Sequence, residues 1–302
     1  MSDDAVAVTS AQDQLGEGVR WDARRDELLR VDIPAGLVYR DRIAHDGSLV
    51  PVRSYDVHGS VGAINPIDGD DGWLLALDRG IAHLAPDGTV RPIVELAPSD
   101  VRMNDAACDP QGRLWAGTIT DVMGGAALYR LDRDGRTELM LDDLTISNGL
   151  GWSLDGRTMY LADSTPGTVQ AFDFDGERGT ISNARVLIQL DEAEGTPDGL
   201  TVDAAGDLWV AVWGGRSVRR YGPDGSLRSE LRVPAVETTS CGFAGPGLHR
   251  LYVATATENW TDERRRAEPG AGLVYRFETD ATGLPSAPFR PDPEWWAAVM
   301  AS

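Results

Sequence analysis

Leu114-Trp115-Ala116-Gly117-Thr118 is a short apolar segment that follows the turn Asp109-Pro110-Gln111-Gly112, and similar segments recur along the chain. All of them combine aliphatic residues with aromatic or β-branched ones, and they begin at positions 28, 73, 114, 159, 208 and 251. The intervals between successive starts are 45, 41, 45, 49 and 43 residues. A repeat at a nearly fixed period of this size indicates a fold built from one supersecondary unit used several times.

Each apolar segment is followed by a further pair of strand-like segments joined by a polar turn. Five of these turns contain the dipeptide Asp-Gly, at 46–47, 87–88, 134–135, 175–176 and 224–225. Asp-Gly between alternating segments is a strong hairpin signal, and the two-residue turn that it favours has positive φ at both positions. With four short strands in each repeat, the sequence predicts an all-β fold, a six-bladed β-propeller with four-stranded antiparallel blades around a central channel.

The composition agrees with one folded unit. Of the 302 residues, 42% are hydrophobic and 25% are charged, which are ordinary values for globular proteins. We therefore expect a single β-propeller domain over 1–302, with a short N-terminal tail over about 1–12 and a C-terminal extension over about 280–302.

The charge balance and the lack of long apolar runs exclude several classes of partner. Asp and Glu number 48 against 28 Lys and Arg, so the net charge is −20. This balance disfavours binding to phosphate backbones and to anionic membrane surfaces. No apolar run approaches the length of a membrane span, and the acidic start Met1-Ser2-Asp3-Asp4 does not resemble a secretory signal. Two cysteines, Cys108 and Cys241, fit a reducing compartment, so we predict a cytoplasmic protein with no nucleic-acid and no membrane partner.

Side-chain oxygens occupy four of the six equivalent positions that lie ten or eleven residues before the apolar segment of each repeat. In a propeller these positions lie on the innermost strands and converge near the axis. The six positions are Glu17, Gly62 or Ala63, Asn104, Asn148, Asp198, and Ser240 or Cys241. A ring of carboxylate and amide oxygens with no Lys or Arg suits Ca²⁺, Mg²⁺ or Mn²⁺, while Zn²⁺ remains possible. The alternative is that Glu-Gly, Asn-Gly and Asp-Gly here are only turn dipeptides.

The segments around these positions resemble one family along nearly the whole chain, from about residue 13 to about residue 280. It is the gluconolactonase / senescence-marker-protein (regucalcin) family of six-bladed propeller lactonases. The matching segments are Leu15-Gly16-Glu17-Gly18 with Trp21, Arg102-Met103-Asn104-Asp105 with Asp109, Ala116-Gly117-Thr118, Ser147-Asn148-Gly149-Leu150 with Trp152-Ser153, Met159-Tyr160-Leu161-Ala162-Asp163-Ser164, Pro197-Asp198-Gly199-Leu200 with Asp203, and Thr239-Ser240-Cys241.

The resemblance implies that Glu17, Asn148 and Asp198 ligate one divalent cation and that Arg102 and Asn104 contact substrate oxygens. The chain departs from the family where many relatives place acidic sugar-binding residues after the Ala116-Gly117-Thr118 segment. It carries Thr120-Asp121-Val122-Met123-Gly124-Gly125 there, so Asp121 is the candidate substitute and the shape of the substrate pocket is open.

The chemistry that follows is hydrolysis of a sugar-acid lactone, an aldonolactone such as gluconolactone or a pentonolactone, to the aldonic acid. A divalent cation polarises the carbonyl as a Lewis acid, and one carboxylate takes the proton of the attacking water. We assign the general-base role to Asp198. The planar fork of Arg102 suits a carbonyl or hydroxyl oxygen, and Asn104 can both donate and accept hydrogen bonds.

Two other functions remain open at this point. The same metal site would serve a related propeller esterase, a phosphotriesterase or a non-sugar lactonase, and a propeller can also be a non-catalytic binding scaffold. The sequence does not choose among lactones, metals or oligomeric states. It also leaves open whether Trp295 and Trp296 pack on the outer face of a blade, which we favour, or form an interface.

Overall fold

The computed structural model describes residues 5–301 and confirms the six-bladed propeller. Each of the six sheets has four antiparallel strands. Blades one to three contain β2 Gly16–Asp22, β3 Glu27–Asp32, β4 Leu37–Ile43, β5 Leu49–Asp56, β6 Val61–Pro66, β7 Trp73–Leu77, β8 Gly80–Leu84, β9 Val90–Glu95, β10 Arg102–Cys108, β11 Leu114–Ile119, β12 Ala126–Leu131 and β13 Thr137–Leu144. Blades four to six contain β14 Ser147–Trp152, β15 Thr158–Asp163, β16 Thr168–Asp175, β17 Thr180–Gln189, β18 Thr196–Val202, β19 Leu208–Trp213, β20 Ser217–Tyr221, β21 Leu227–Arg232, β22 Thr238–Ala244, β23 Arg250–Thr255, β24 Tyr275–Glu278 and the N-terminal β1 Val6–Ala7.

The six apolar segments of the repeat are the second strands of the blades, and each strand begins within one residue of the predicted start. These strands are buried on both faces because neighbouring blades cover them. In blade two, for example, Trp73, Leu74 and Leu75 have no exposed surface. A strand that is buried on both faces has a continuous run of apolar residues in the sequence. These runs are therefore the most easily recognised part of each repeat.

Blade six is completed by a strand from the other end of the chain. β1 pairs with β24, with Val6 opposite Arg276 and Ala7 opposite Tyr275. The repeat did not predict this strand, because β1 has only two residues and lies in the segment that we expected to be a tail. Hydrogen bonds from this segment to β24 therefore close the ring of blades.

The Asp-Gly turns differ from the predicted type. In four of the five, glycine has positive φ, between 81° and 102°, while the preceding aspartate does not. In the first of them, the amide of Gly47 donates to the carbonyl of Ala44, and the amide of Ala44 donates to the carbonyl of Ser48. This is a type I turn followed by a left-handed glycine, the common longer hairpin loop, so only one position needs glycine.

The C-terminal extension folds back onto blades two and three. Two α-helices lie in the described chain, α1 Asp262–Ala267 in the loop after β23 and α2 Pro293–Ala301 at the C-terminus. Trp296 of α2 is 8% exposed, belongs to the apolar core around Leu74 and Leu114, and donates from its indole nitrogen to Asp70 Oδ2 at 2.9 Å. Trp295 is half-buried against the same core, so both side chains pack on the propeller. Neither helix of the described residues has the length or the apolar character needed to cross a membrane.

We expect Trp296→Phe to lower the free energy of unfolding by about 2 kcal/mol, because it removes a hydrogen bond to a charged group and part of a buried ring. Urea unfolding followed by tryptophan fluorescence or circular dichroism would measure this change. Trp295→Phe is the matched control, since no indole hydrogen bond of Trp295 is present among residues 5–301, and it should cost less. Equal costs for the two variants would contradict an anchoring role for the Asp70 contact.

Candidate active site

β-Bulges set the direction of the side chains that converge on the channel. In β2, β10, β14 and β18, two residues of the inner strand lie opposite a single residue of the second strand. Such bulges redirect side chains and are frequent beside active sites. Asn104, Asn148 and Asp198 each occupy the first position of their bulge, so the shared register predicted for these three residues is present. Glu17 lies one residue before its bulge. The first residue of that bulge is Gly18, whose φ of 64° lies in the left-handed region.

Two glycines explain how closely the inner strands approach one another. A Cβ atom on Gly62 would lie 2.0 Å from the carbonyl oxygen of Asn104, and one on Gly149 would lie 2.3 Å from the amide nitrogen of Leu200. No side chain fits at either point. The second blade therefore contributes backbone rather than a ligand to the ring, and the polar groups come mainly from blades one, three, four and five.

A chain of hydrogen bonds links the inner ends of blades three, four and five. Arg102 Nη1 donates to Asn104 Oδ1 at 2.9 Å, and Asn104 Nδ2 donates to Asn148 Oδ1 at 2.9 Å. Asn148 Nδ2 donates to Ser164 Oγ at 2.8 Å, and that hydroxyl donates to the carbonyl of Pro197 at 2.7 Å. This chain fixes both amides, and the carbonyl oxygen of Asn148 retains a lone pair for one further ligand.

Two carboxylates lie beside these amides and are almost completely buried. Glu17 is 7% exposed and Asp198 is 5% exposed. Burial, with a smaller contribution from the Asp105 charge, raises the pKa of Glu17 to about 8. Burial, followed by the charges of Glu17 and Asp105, raises the pKa of Asp198 well above its usual range. Within residues 5–301, Asp198 Oδ1 is buried with no hydrogen-bond partner, so one oxygen is available to a ligand.

An ion pair that the sequence did not predict joins blades one and three near these carboxylates. Arg20 Nη2 lies 3.0 Å from Asp105 Oδ1, and the same guanidinium donates to the carbonyl of Ala106. Burial raises the pKa of Asp105, and Arg20 opposes that shift. Arg20 also lowers the pKa of Glu17 slightly, so its positive charge partly offsets the group of buried acids.

These side chains line a cavity of about 160 Å³, which we call the inner cavity. Pockets for drug-sized ligands measure about 300–1,000 Å³, so this one suits a small molecule. Its polar wall is formed by Glu17, Arg102, Asn104, Asn148, Asp198 and Glu258. Leu15, Ile33, Ile119 and Ile146 supply an apolar wall.

The donor set fits a hard cation bound through oxygens. No cluster of three or more His, Cys, Asp or Glu side chains with metal-binding geometry is present in residues 5–301, and the third candidate ligand, Asn148, is an amide. Two buried carboxylates and the Asn148 oxygen are the donor types that Ca²⁺, Mg²⁺ and Mn²⁺ prefer. The unpartnered Asp198 oxygen is costly to bury unless a cation or a proton satisfies it.

Asp121 lies outside the inner cavity. It is exposed and lines a second, wider cavity of about 600 Å³, which we call the outer cavity. Arg102, Ile119 and Glu258 line both cavities, so the two are neighbours. The acidic side chain that reaches the inner cavity from the rim is Glu258, which the sequence analysis did not single out. A role for Asp121 in binding substrate stays a prediction.

The chain is similar to proteins named as lactonases and as regucalcins. The family model described as "SMP-30/Gluconolactonase/LRE-like region" matches residues 15–257. Pentonolactonase XacC from Haloferax volcanii is 34% identical, over 92% of this chain and 95% of the relative. Regucalcin from Xenopus laevis is also 34% identical, over 92% of this chain and 93% of the relative.

Solved structures give the same result. A calcium-binding protein described as regucalcin, from Agrobacterium tumefaciens, superimposes with a TM-score of 0.88 and 27% identity, over 95% of this chain and 97% of that one.

Proposed function

Since this chain belongs to the SMP-30/gluconolactonase/LRE-like family, we propose that it hydrolyses a sugar lactone to the corresponding sugar acid. The proposal includes dependence on one divalent cation and a general-base role for Asp198. Relatives named for lactonase activity cover almost the whole chain, which supports the reaction class. The substrate class proposed is an aldonolactone with five or six carbons.

The observation that carries the proposal is the pair of buried carboxylates that face one small polar cavity. The charge of Glu17 raises the pKa of Asp198 beyond the effect of burial, and burying two carboxylates without enough counter-charge is unfavourable. Buried carboxylates with strongly raised pKa values are found most often at functional sites. The arrangement is therefore best explained by a cation and a substrate that occupy the inner cavity together.

Glu17, Asn148 and Asp198 would hold the cation through their side-chain oxygens. A divalent cation bound there would act as a Lewis acid on the lactone carbonyl. The hydrogen bond from Asn104 keeps the Asn148 oxygen fixed, and the backbone amide of Gly18 donates to Glu17 Oε2 at 2.9 Å. Two of the three ligands, Glu17 and Asn148, are thus held in place before anything binds.

The remaining steps belong to the side chains of the chain itself. Asp198 accepts the proton of the attacking water, because its Oδ1 makes no other hydrogen bond in the described chain. Within residues 5–301, Arg102 uses only Nη1 for hydrogen bonds, to Met103 and Asn104, so its other donors remain for substrate oxygens. Asn104 lies between Arg102 and Asn148 and lines the same cavity.

A hydrolysis screen tests the proposal directly. Purified protein is stripped with a chelator, resupplied separately with Ca²⁺, Mg²⁺, Mn²⁺ or Zn²⁺, and given glucono-, galactono-, xylono- and arabinonolactone. A pH indicator follows the acid released, after correction for spontaneous hydrolysis. We expect turnover of at least one lactone, lost on chelation and restored by a cation.

The other outcomes of this screen separate the alternatives. Full turnover after chelation would overturn the metal dependence, whereas turnover of a phosphotriester such as paraoxon without any sugar lactone would favour the related esterase chemistry. No turnover of any ester, with measurable cation binding, would leave a non-catalytic binding propeller.

A further inference from the structure

Two charged side chains at the rim of the inner cavity are close enough to influence each other and yet form no ion pair. Burial lowers the pKa of Arg102, and the negative charge of Glu258 is the largest electrostatic effect that opposes this shift. Across residues 5–301, however, the Glu258 carboxylate has neither a hydrogen bond nor a salt bridge. Elsewhere in this molecule arginines and acids pair readily, as Arg20 does with Asp105 at 3.0 Å. The gap between Arg102 and Glu258 therefore leaves a donor and an acceptor facing a shared space.

The loop that carries Glu258 is firmly held, so this separation is part of the fold. On its N-terminal side, the Thr257 hydroxyl donates to the carbonyl of Asp13 at 2.9 Å. On its C-terminal side, the Trp260 indole donates to Glu237 Oε1 at 2.6 Å. Trp260 itself is 7% exposed within the apolar core of blades five and six. Glu258 is thus fixed between two anchors, and its side chain remains half-buried at the cavity.

Building on the proposed lactonase function, we propose that Glu258 binds the hydroxyl groups of the sugar lactone and thereby selects polyhydroxylated substrates. A carboxylate accepts hydrogen bonds only, so it suits hydroxyl donors and discriminates against lactones without them. It faces the inner cavity, whereas Asp121 lines only the outer one. An acidic substrate-binding group would then come from blade six, on the loop after β23, in addition to the candidate Asp121 of blade three.

The negative charge of Glu258 has a second effect, on the product. The lactone is neutral, whereas the sugar acid released at neutral pH is an anion. Like charges in a partly buried site repel, so Glu258 disfavours the bound product relative to the bound substrate. Removal of this charge should weaken substrate binding and, in relative terms, strengthen product binding.

The test is Glu258→Gln, which keeps the shape of the side chain and removes its charge. For the best sugar lactone of the screen, we expect KM to rise about ten-fold with kcat within about two-fold, because a hydrogen bond to a charged carboxylate becomes a weaker one to a neutral amide. The inhibition constant Ki of the sugar acid product should rise less than KM, so the ratio Ki/KM falls. With δ-valerolactone, which has no hydroxyl groups, any measurable turnover should be the same for the variant and the wild type.

Two further variants make the outcome decisive. Glu263→Gln changes the same charge on the exposed helix α1 of the same loop and should leave all constants unchanged. Asp121→Asn tests the other acid, and a KM effect there with none at Glu258 would overturn the proposal. An equal loss of kcat/KM toward the sugar lactone and toward δ-valerolactone in Glu258→Gln would also overturn the proposal, because that pattern indicates a structural role for Glu258. Wild-type protein that hydrolyses no lactone would instead refute the proposed function itself.

Discussion

Replacing Asp198 with asparagine should lower kcat for lactone hydrolysis by about 10²–10⁴-fold, the usual range for loss of a general base. The amide cannot accept the proton of the attacking water, although it keeps the size of the side chain. We expect weaker binding of the divalent cation as well, since one of its two negative ligands is lost. Initial rates with the indicator assay and calorimetric titration with Mn²⁺ would measure the two effects.

The stability of this variant distinguishes a lost function from a damaged fold. The pKa of Asp198 is raised in the folded protein, so the folded state holds a proton that the unfolded chain releases above about pH 4. Ionised Asp198 therefore costs folding free energy in metal-free protein, and this cost grows as the pH rises. Asp198→Asn removes the cost, so the metal-free variant should melt at the same temperature as wild type or higher at pH 8.

Asp142→Asn serves as the control for this experiment, because Asp142 is an exposed aspartate on the outer strand β13. It should change neither the rate nor the melting temperature. Full activity of Asp198→Asn would contradict the proposed role of Asp198. A large fall in melting temperature would show that the substitution acts through the fold and not through the reaction.

The repeat predicted the blades, and its register predicted that Glu17, Asn104, Asn148 and Asp198 converge, because a propeller converts sequence spacing into position around an axis. Asn104, Asn148 and Asp198 were placed together from their distance to the second strand alone, and the bulges of three blades bring them to equivalent positions. The N-terminal strand escaped prediction, since its two residues pair with a partner almost 270 positions away and carry no repeat signal.

Arg20 shows why local pattern was insufficient inside the channel. Strict alternation from Glu17 would place Arg20 on the opposite face of β2. The bulge at Gly18-Val19 inserts one residue, so Arg20 reaches Asp105 of blade three instead. Glu258 was missed for a different reason, because its loop is irregular and its neighbours Thr257 and Trp260 are held by Asp13, 244 positions from Thr257, and by Glu237.

The affinity for a divalent cation should depend steeply on pH, because the cation and a proton compete for the same buried carboxylate. The pKa of Glu17 is about 8 in the folded protein against 4.5 for an ordinary glutamate, mainly because of burial. Between these two pH values the metal-free folded state holds a proton that the unfolded chain has released. The stability of metal-free protein should therefore fall as the pH rises through this window and level off above it.

Cation binding needs the ionised carboxylate, so each pH unit below about 8 should weaken the apparent affinity up to ten-fold for each proton displaced. From pH 8 to pH 6 this amounts to about a 50-fold rise in Kd for one proton, because half of Glu17 is already protonated at pH 8, and to more if Asp198 also gives up a proton. Calorimetric titration with Mn²⁺ at pH 6, 7 and 8, in buffers of different ionisation enthalpy, would give both Kd and the number of protons released. The Glu17→Gln variant should bind Mn²⁺ more weakly and release one proton fewer on binding. A Kd for Mn²⁺ that does not depend on pH in the wild-type protein would contradict cation binding at Glu17.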